Sequence, residues 1–137
     1  MRRGYDSHVL DDDVKRLATG PYLAAVSTLM PGGQPQTLFT WIDCDDDNLL
    51  VNTEPQRQRV RNVARDPRIT IPIGGESPGD WVEVRGRVVE TIDGQVARDH
   101  IDHLSRRYVG TDYRRPIGPD GRIILCVAPD RINRPRQ

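Results

Sequence analysis

The chain has 137 residues with 20 basic and 20 acidic side chains, a balance that gives no reason to expect a nucleic acid or a membrane surface as partner. That length suits one domain around one core and leaves no room for a separate catalytic domain. No apolar run approaches the roughly 20 residues that span a bilayer, and the opening Met1-Arg2-Arg3-Gly4-Tyr5-Asp6 lacks the apolar stretch of a secretion signal, so a single cytoplasmic domain over residues 1–137 is expected. Cys44 and Cys126 are far apart, without Cys-x-x-Cys spacing, and read as two ordinary thiols rather than a disulfide or a zinc site. Lys15 is the only lysine, a bias that genome composition explains better than any need for planar donors.

In chain order, a first helix is predicted over 10–18, where Leu10, Val14 and Leu17 share a face behind acidic residues that suit a helix start. Thr19-Gly20-Pro21 ends it. Residues 22–29 are small, β-branched and apolar and meet Met30-Pro31-Gly32-Gly33-Gln34, which predicts a strand and a hairpin turn. A second strand over 36–42, a turn through residues 43–47 and a return strand over 48–52 complete an antiparallel meander. The second helix is predicted over 54–65, with Val60, Val63 and Ala64 as its apolar stripe and Asp66-Pro67 as its stop. Thr53-Glu54-Pro55-Gln56 fits a capping box, with Thr53 as N-cap and Gln56 reaching back.

Residues 68–73 read as a strand in which Pro72 marks an edge, a bulge or a strand end. After a loop over 74–80, the run 81–88 alternates: Val82, Val84 and Val88 on one face, Glu83, Arg85 and Arg87 on the other. Gly86 on the apolar face suggests a bulge or a close backbone approach. A third helix over 95–108 carries Ala97, Ile101, Leu104 and Tyr108 at spacings of four and three. A Gly/Pro-rich loop then leads to a last strand over 122–127, and the polar tail from 133 is expected to fray. Six strands with interspersed helices predict an α+β barrel.

The residues best suited to chemistry, Asn52, Thr53, Arg57, Arg59, Arg61 and Asn62, gather at the start of the second helix. Unpaired N–H groups at a helix start and guanidinium forks together favour an anion, above all a phosphate. The same pattern also fits a capped surface helix with solvated arginines. Asp43, Asp45, Asp47 and Glu54 imitate a calcium loop, but Asn48 replaces the required glycine and the loop would run through the apolar Leu49-Leu50-Val51. His100 and His103 sit at a spacing of three without a zinc motif and read, like His8, as surface histidines. Ser27 lacks a nucleophile-elbow context and no Gly-x-Gly-x-x-Gly follows a strand.

Three strings carry a resemblance: Leu50 to Arg68 (LVNTEPQRQRVRNVARDPR), Ala25 to Gln36 (AVSTLMPGGQPQ) and Trp81 to Arg87 (WVEVRGR). Together, within an order of elements matching from about Ala18 to Ile132, they resemble the pyridoxamine 5'-phosphate oxidase-like superfamily, whose fold is a six-stranded antiparallel split β-barrel with peripheral helices. Binders of flavin mononucleotide (FMN) in that superfamily typically show Ser-Arg-Lys where this chain has Arg57-Gln58-Arg59. The branch that uses the deazaflavin coenzyme F420 resembles Arg-x-Lys-x-Arg-Asn, which Arg57-Gln58-Arg59-Val60-Arg61-Asn62 matches with Arg59 in place of the lysine. The resemblance implies an F420-dependent oxidoreductase passing hydride to a small organic acceptor, with an FMN oxidoreductase or a non-enzymatic F420 carrier as alternatives. It further implies a homodimer with the cofactor at the subunit interface, its phosphate on Arg57 and Arg59, Asn62, Asn52 and Thr53 completing the pocket, and its ring near Gln36, Thr37 and Leu38. No catalytic side chain and no metal is implied. Phe39 and Trp41 fit core or interface packing better than substrate stacking, and the loops over 74–80 and 111–121 are expected to border the substrate.

Overall fold

The structure is a computed structural model and describes residues 9–135; His8 and the opening residues lie outside the described residues. Helix α1 (Asp12–Thr19) starts where Asp11 Oδ1 accepts the Val14 N–H at 3.1 Å, with Asp12 and Asp13 in its first turn. Its Val14, Leu17 and Ala18 are buried. Strands β1 (Ala24–Leu29) and β2 (Pro35–Thr40) form the hairpin expected around Gly32-Gly33, with Gly33 at φ 93°, a conformation that suits glycine. The rest of the chain gives β3 (Asp43–Cys44), β4 (Leu49–Thr53), α2 (Gln58–Arg65), β5 (Arg68–Gly74), β6 (Trp81–Ile92), α3 (Gly94–Val109) and β7 (Ile123–Asn133).

The strands make one antiparallel sheet in the order β2-β1-β5-β6-β7-β4-β3. Its two edges, β2 and β3, are joined only by Trp41 and Ile42. In a flat sheet the edges would stand roughly 29 Å apart, whereas three residue steps span at most about 11 Å. The sheet therefore curls into a split barrel, and its interior is the core: Ile42, Leu49, Val51, Ile71, Ile73, Val84, Leu125 and Val127 are fully buried there. β7 is apolar on both faces for a reason its alternation shows. Leu125 and Val127 point into the barrel, while Ile124 and Cys126 form a second cluster with Ala97 of α3.

Four expectations need correction. The first three strands after α1 do not form a meander, because the predicted strand over 36–42 breaks at Trp41. There α3 captures the link: Trp41 stacks on Tyr108 at 5.2 Å, and the Ile42 N–H donates to the Tyr108 hydroxyl. The chain thus crosses to the far edge, where the two-residue β3, inside the predicted turn, brings the strand count to seven.

The capping box is not formed. Arg57 takes the Glu54 carboxylate through Nε (3.0 Å) and Nη2 (2.7 Å), and residues 54–57 close a turn through the Arg57 N–H and the Glu54 carbonyl. α2 consequently begins at Gln58, with Arg57 at the N-cap and no side-chain cap bond. Pro72 lies on the interior strand β5 and not at an edge; the pairs to β1, Ala24↔Ile73 and Ser27↔Thr70, fall on either side of it. The tail is held as far as it is described, since Asn133 ends β7 and bonds Glu83 while Arg134 pairs with Asp11; residues 136–137 lie outside the described residues.

Gly86 behaves as its sequence position suggests. The β6–β7 register shifts between Arg85 and Gly86, and a Cβ there would stand 2.1 Å from the Ala128 carbonyl oxygen. Only a residue without a side chain admits that approach.

Candidate functional site

A cavity of about 300 Å³ opens where the end of β4, the 54–57 turn, the link after β2 and the loop before β7 meet. One wall is polar and positive: Asn52 and Thr53 from β4, Arg57 and Arg59 from the start of α2, and Arg122 just before β7. Phe39, Trp41 and Tyr113 supply aromatic surface, with Tyr113 edge-on to Trp41 at 6.4 Å. Arg115 also reaches the cavity, and Glu54 is the one carboxylate among the lining residues.

The arginines differ in how their charge is met. Arg57 is half exposed and paired with Glu54 at 2.7 Å. Arg59 has its Nε and Nη1 buried with no hydrogen-bond partner among the described residues. Burial lowers its pKa, and the positive charges of Arg57 and Arg122 lower it further. Arg122 is 8% exposed; its pKa is likewise lowered, first by burial. Its Nε–H donates to Asn52 Oδ1 at 2.9 Å, and its guanidinium stands 5.2 Å from the centre of the Tyr113 ring. Buried guanidinium donors without a carboxylate are costly, so the wall is chemically suited to an anion with several acceptor oxygens.

Of the residues singled out in the sequence, the fold brings Asn52, Thr53, Arg57 and Arg59 together at this cavity. Asn62 lies elsewhere. It is 0% exposed, its Nδ2 donates to Thr28 Oγ1 (3.0 Å) and its Oδ1 accepts from Gln58 Nε2 (2.9 Å), so it fastens α2 to β1. Gln36, Thr37 and Leu38 lie on β2 and do not line the cavity. Thr37 bonds the Ser27 hydroxyl at 2.6 Å, Leu38 is exposed, and Gln36 Oε1 is buried without a partner among the described residues. Their neighbours Phe39 and Thr40 reach the cavity instead. The 111–121 loop contributes Tyr113 and Arg115, whereas Gly79 and Asp80 of the 74–80 loop line a separate hollow beside Arg16.

Sequence reasoning missed Arg122, Tyr113 and a buried network behind the wall. Asn52 Nδ2 donates to the Ala97 carbonyl (2.9 Å) and to His100 Nδ1 (3.0 Å), and His100 Nε2 meets Asp43 Oδ2 at 2.8 Å. With Nδ1 accepting, the imidazole carries its proton on Nε2 and donates it to Asp43. Arg107 completes the chain, bonding Asp43 Oδ1 and the Ile42 carbonyl, each at 2.7 Å. Burial alone would raise the Asp43 pKa, but hydrogen bonds from His100 and Arg107 overcome it and hold it below the usual carboxylate value. His100 is thus not a surface histidine, although His103 is. Its position three residues after Ala97 and four before Leu104 was the available signal, since those spacings share a helix face.

Among the described residues no cluster of three or more His, Cys, Asp or Glu is arranged to hold a metal ion, and no helix is long and apolar enough to cross a membrane. The architecture defines a class, the split barrels, here with an arginine-walled cavity at the end of one strand. The sequence profile of the pyridoxamine 5'-phosphate oxidase family matches residues 10–134, and the chain belongs to that family. No curated protein sequence matches it. Among solved structures, it is similar to an F420 reductase at 25% identity and a TM-score of 0.78, over 87% of this chain and 94% of that one. It is also similar to the conserved hypothetical protein Rv2991 from Mycobacterium tuberculosis (19% identity, TM-score 0.69, 96% and 88% covered). A third likeness is to General Stress Protein 26 from Bacillus anthracis (19% identity, TM-score 0.68, 88% and 89% covered). The last two speak to the fold alone.

Proposed function

We propose that the chain binds coenzyme F420 in the arginine-walled cavity and serves hydride transfer from the reduced deazaflavin to a small organic acceptor. The observation that carries this reading is Arg59, whose buried Nε and Nη1 lack a partner among the described residues, beside Arg57 at the end of β4. A phosphate would supply the missing acceptors and offset the crowded positive charge. The likeness to an F420 reductase supports the choice of cofactor.

The deazaflavin, when bound, supplies the hydride, and the chain's part is to bind, orient and exclude water. Arg57 and Arg59 hold the phosphate, Thr53 flanks it at the end of β4, and Phe39 and Trp41 offer apolar surface to a flat ring. Glu54 is not the proton donor: hydrogen bonds from Arg57 hold its pKa below the usual carboxylate value, so it is ionised at neutral pH. Any proton that accompanies the hydride comes from solvent or from the acceptor.

The functional unit in this reading is a homodimer with the cofactor at the subunit interface. Its support is the exposed apolar side chains at the β2 edge, where Phe39 is 75% exposed and Leu38 and, just before β1, Leu23 are exposed as well. Sedimentation of a monomer at micromolar concentration, with and without cofactor, would overturn that part.

The primary test is equilibrium binding of F420 and of FMN to the purified protein. Tighter binding of F420 supports the reading, and tighter binding of FMN replaces it with a flavin oxidoreductase on the same fold. Arg57→Ala with Arg59→Ala is expected to weaken binding by several kcal/mol, at about 1.5–3 for each charge-assisted contact. Binding without oxidation of the reduced cofactor by quinones, tetrapyrroles or unsaturated ketones would make the protein a carrier.

A further inference from the structure

We infer that Arg122 is a second anion-binding group of this cavity, held in place by a buried relay, Asp43–His100–Asn52, that runs from the face of the sheet under α3 to the cavity wall. The inference rests on the proposed binding of a phosphate-bearing ligand, and assigns a separate donor on a separate element.

Arg122 is among the most deeply buried cations of the described residues, at 8% exposure, and it forms no ion pair with a carboxylate among them. A charge kept in that state is expensive unless a ligand completes it. Its Nε is committed to Asn52 and its guanidinium carbon stands 5.2 Å from the centre of the Tyr113 ring, two contacts that restrain the fork while the residue lines the cavity. A guanidinium held at one end in this way presents a preset pair of donors, the geometry that bidentate anion recognition needs.

Asn52 can hold Arg122 because its own amide cannot turn. Both Nδ2 hydrogens are used, one on the Ala97 carbonyl and one on His100 Nδ1, so Oδ1 is left facing Arg122 Nε. Flipping the amide would set an oxygen against the Ala97 carbonyl and an N–H against the Arg122 N–H. His100 keeps an acceptor toward Asn52 because its Nε2 proton is given to Asp43, and Asp43 is fixed by Arg107. Asn52 is therefore a positioning residue, with its donors spent on the fold, and Arg122 is the group that meets the ligand.

The test is calorimetric binding of inorganic pyrophosphate and, in parallel, of F420, at several sodium chloride concentrations. It compares wild type, Arg122→Gln, Asn52→Ala and the double variant. Arg122→Gln is expected to weaken pyrophosphate roughly 10- to 150-fold, the worth of one charge-assisted hydrogen bond, and to flatten the salt dependence. Asn52→Ala is expected to weaken it less, by roughly 3- to 10-fold, and to have no further effect once Arg122 is Gln, the signature of a shared path. If Asn52 served only the fold, its substitution would weaken binding equally in both backgrounds, and the relay would be overturned.

Wild-type pyrophosphate affinity in a folded Arg122→Gln protein, or no pyrophosphate binding by the wild type, overturns the inference. Should Arg122→Gln fail to fold, Arg122→Lys keeps the charge without the Nε donor; it is expected to bind several-fold more weakly and to be indifferent to Asn52→Ala. Arg122-dependent pyrophosphate binding without F420 binding would remove the cofactor reading and leave this one standing. F420 binding that depends on Arg57 and Arg59 but not on Arg122 would do the reverse.

Discussion

Replacing Arg59 by Met separates stability from binding, because the two are expected to move in opposite directions. Nε and Nη1 of Arg59 are buried without partners among the described residues, and an unsatisfied buried donor costs about 1–3 kcal/mol. Methionine keeps much of the apolar stem, removes both donors, and ends both the burial of a charge and the repulsion by Arg57 and Arg122 that together depress the Arg59 pKa. Against this stands imperfect refilling of the space, a cost of about 1 kcal/mol. With two donors at about 1–3 kcal/mol each, less about 1, the ligand-free protein should gain at least about 1 kcal/mol, a rise of about 3 °C or more in Tm for a domain of this size. Cofactor affinity should fall by at least the worth of one charge-assisted hydrogen bond, about 1.5–3 kcal/mol or roughly 10- to 150-fold. The assay is urea and thermal unfolding in phosphate-free buffer, followed by cofactor titration. Arg57→Met is the control: its ion pair with Glu54 is largely exposed, so its removal should shift stability by less than about 1 kcal/mol. A ligand-free Arg59→Met protein that melts lower than wild type, with cofactor affinity unchanged, would refute the reasoning.

Three further outcomes follow from the same structure. Asn62→Leu and Thr28→Val should each cost about 1–3 kcal/mol in urea unfolding, since each strands a buried polar partner, while the double variant should recover at least half of the sum; simple additivity would show that the pair does not fasten α2 to β1. Gly86→Ala should cost about 1–3 kcal/mol or more, because the new Cβ meets the Ala128 carbonyl, whereas Gly74→Ala, with nothing within 4 Å of the added carbon, should be neutral or slightly stabilising; equal melting points for the two would count against the close approach. Asp43 has a folded-state pKa below its ordinary 3.8, so its contribution to stability is complete above that value and is lost as pH falls below it, through the lowered folded value. An Asp43→Asn protein should be less stable at pH 7 yet lose less on acidification below about pH 4, and unfolding curves that stay parallel to wild type across that range would remove Asp43 from the acid response.

Where the sequence was legible, and where it was not, follows from the range of the interaction at each element. α1, α3 and β6 were legible because periods of 3.6 and 2 act over a few residues, and Leu10, Val14, Leu17 or Val82, Val84 need no distant partner to declare a face. Gly86 was legible in kind, as a bulge or close approach, although its partner Ala128 was not. The break at Trp41 was invisible because what ends the strand is Tyr108, 66 residues from the Ile42 N–H that it accepts. The capping box failed for one distant and one local reason. Thr53 is paired to Ile123 in the sheet, and the Arg57–Glu54 contact holds residues 54–57 in a turn that delays the helix to Gln58. The cavity divides along the same line. Arg57 and Arg59 share one stretch of chain and could be grouped by eye, but Asp43, Asn52, His100, Arg107 and Arg122 come from the edge strand β3, its neighbour β4, helix α3 and the residue just before β7, and none carries a local signature. What brings them together is the curl of the sheet: β4 pairs with β7, which sets Asn52 opposite Ile124 and within reach of Arg122, and α3 lies over that pair with Ala97 and His100 facing down. The half of the cavity wall formed by Arg57 and Arg59 is thus a property of one sequence segment. The other half exists only once the barrel has closed, which is why its contribution to binding has to be measured with the whole folded chain.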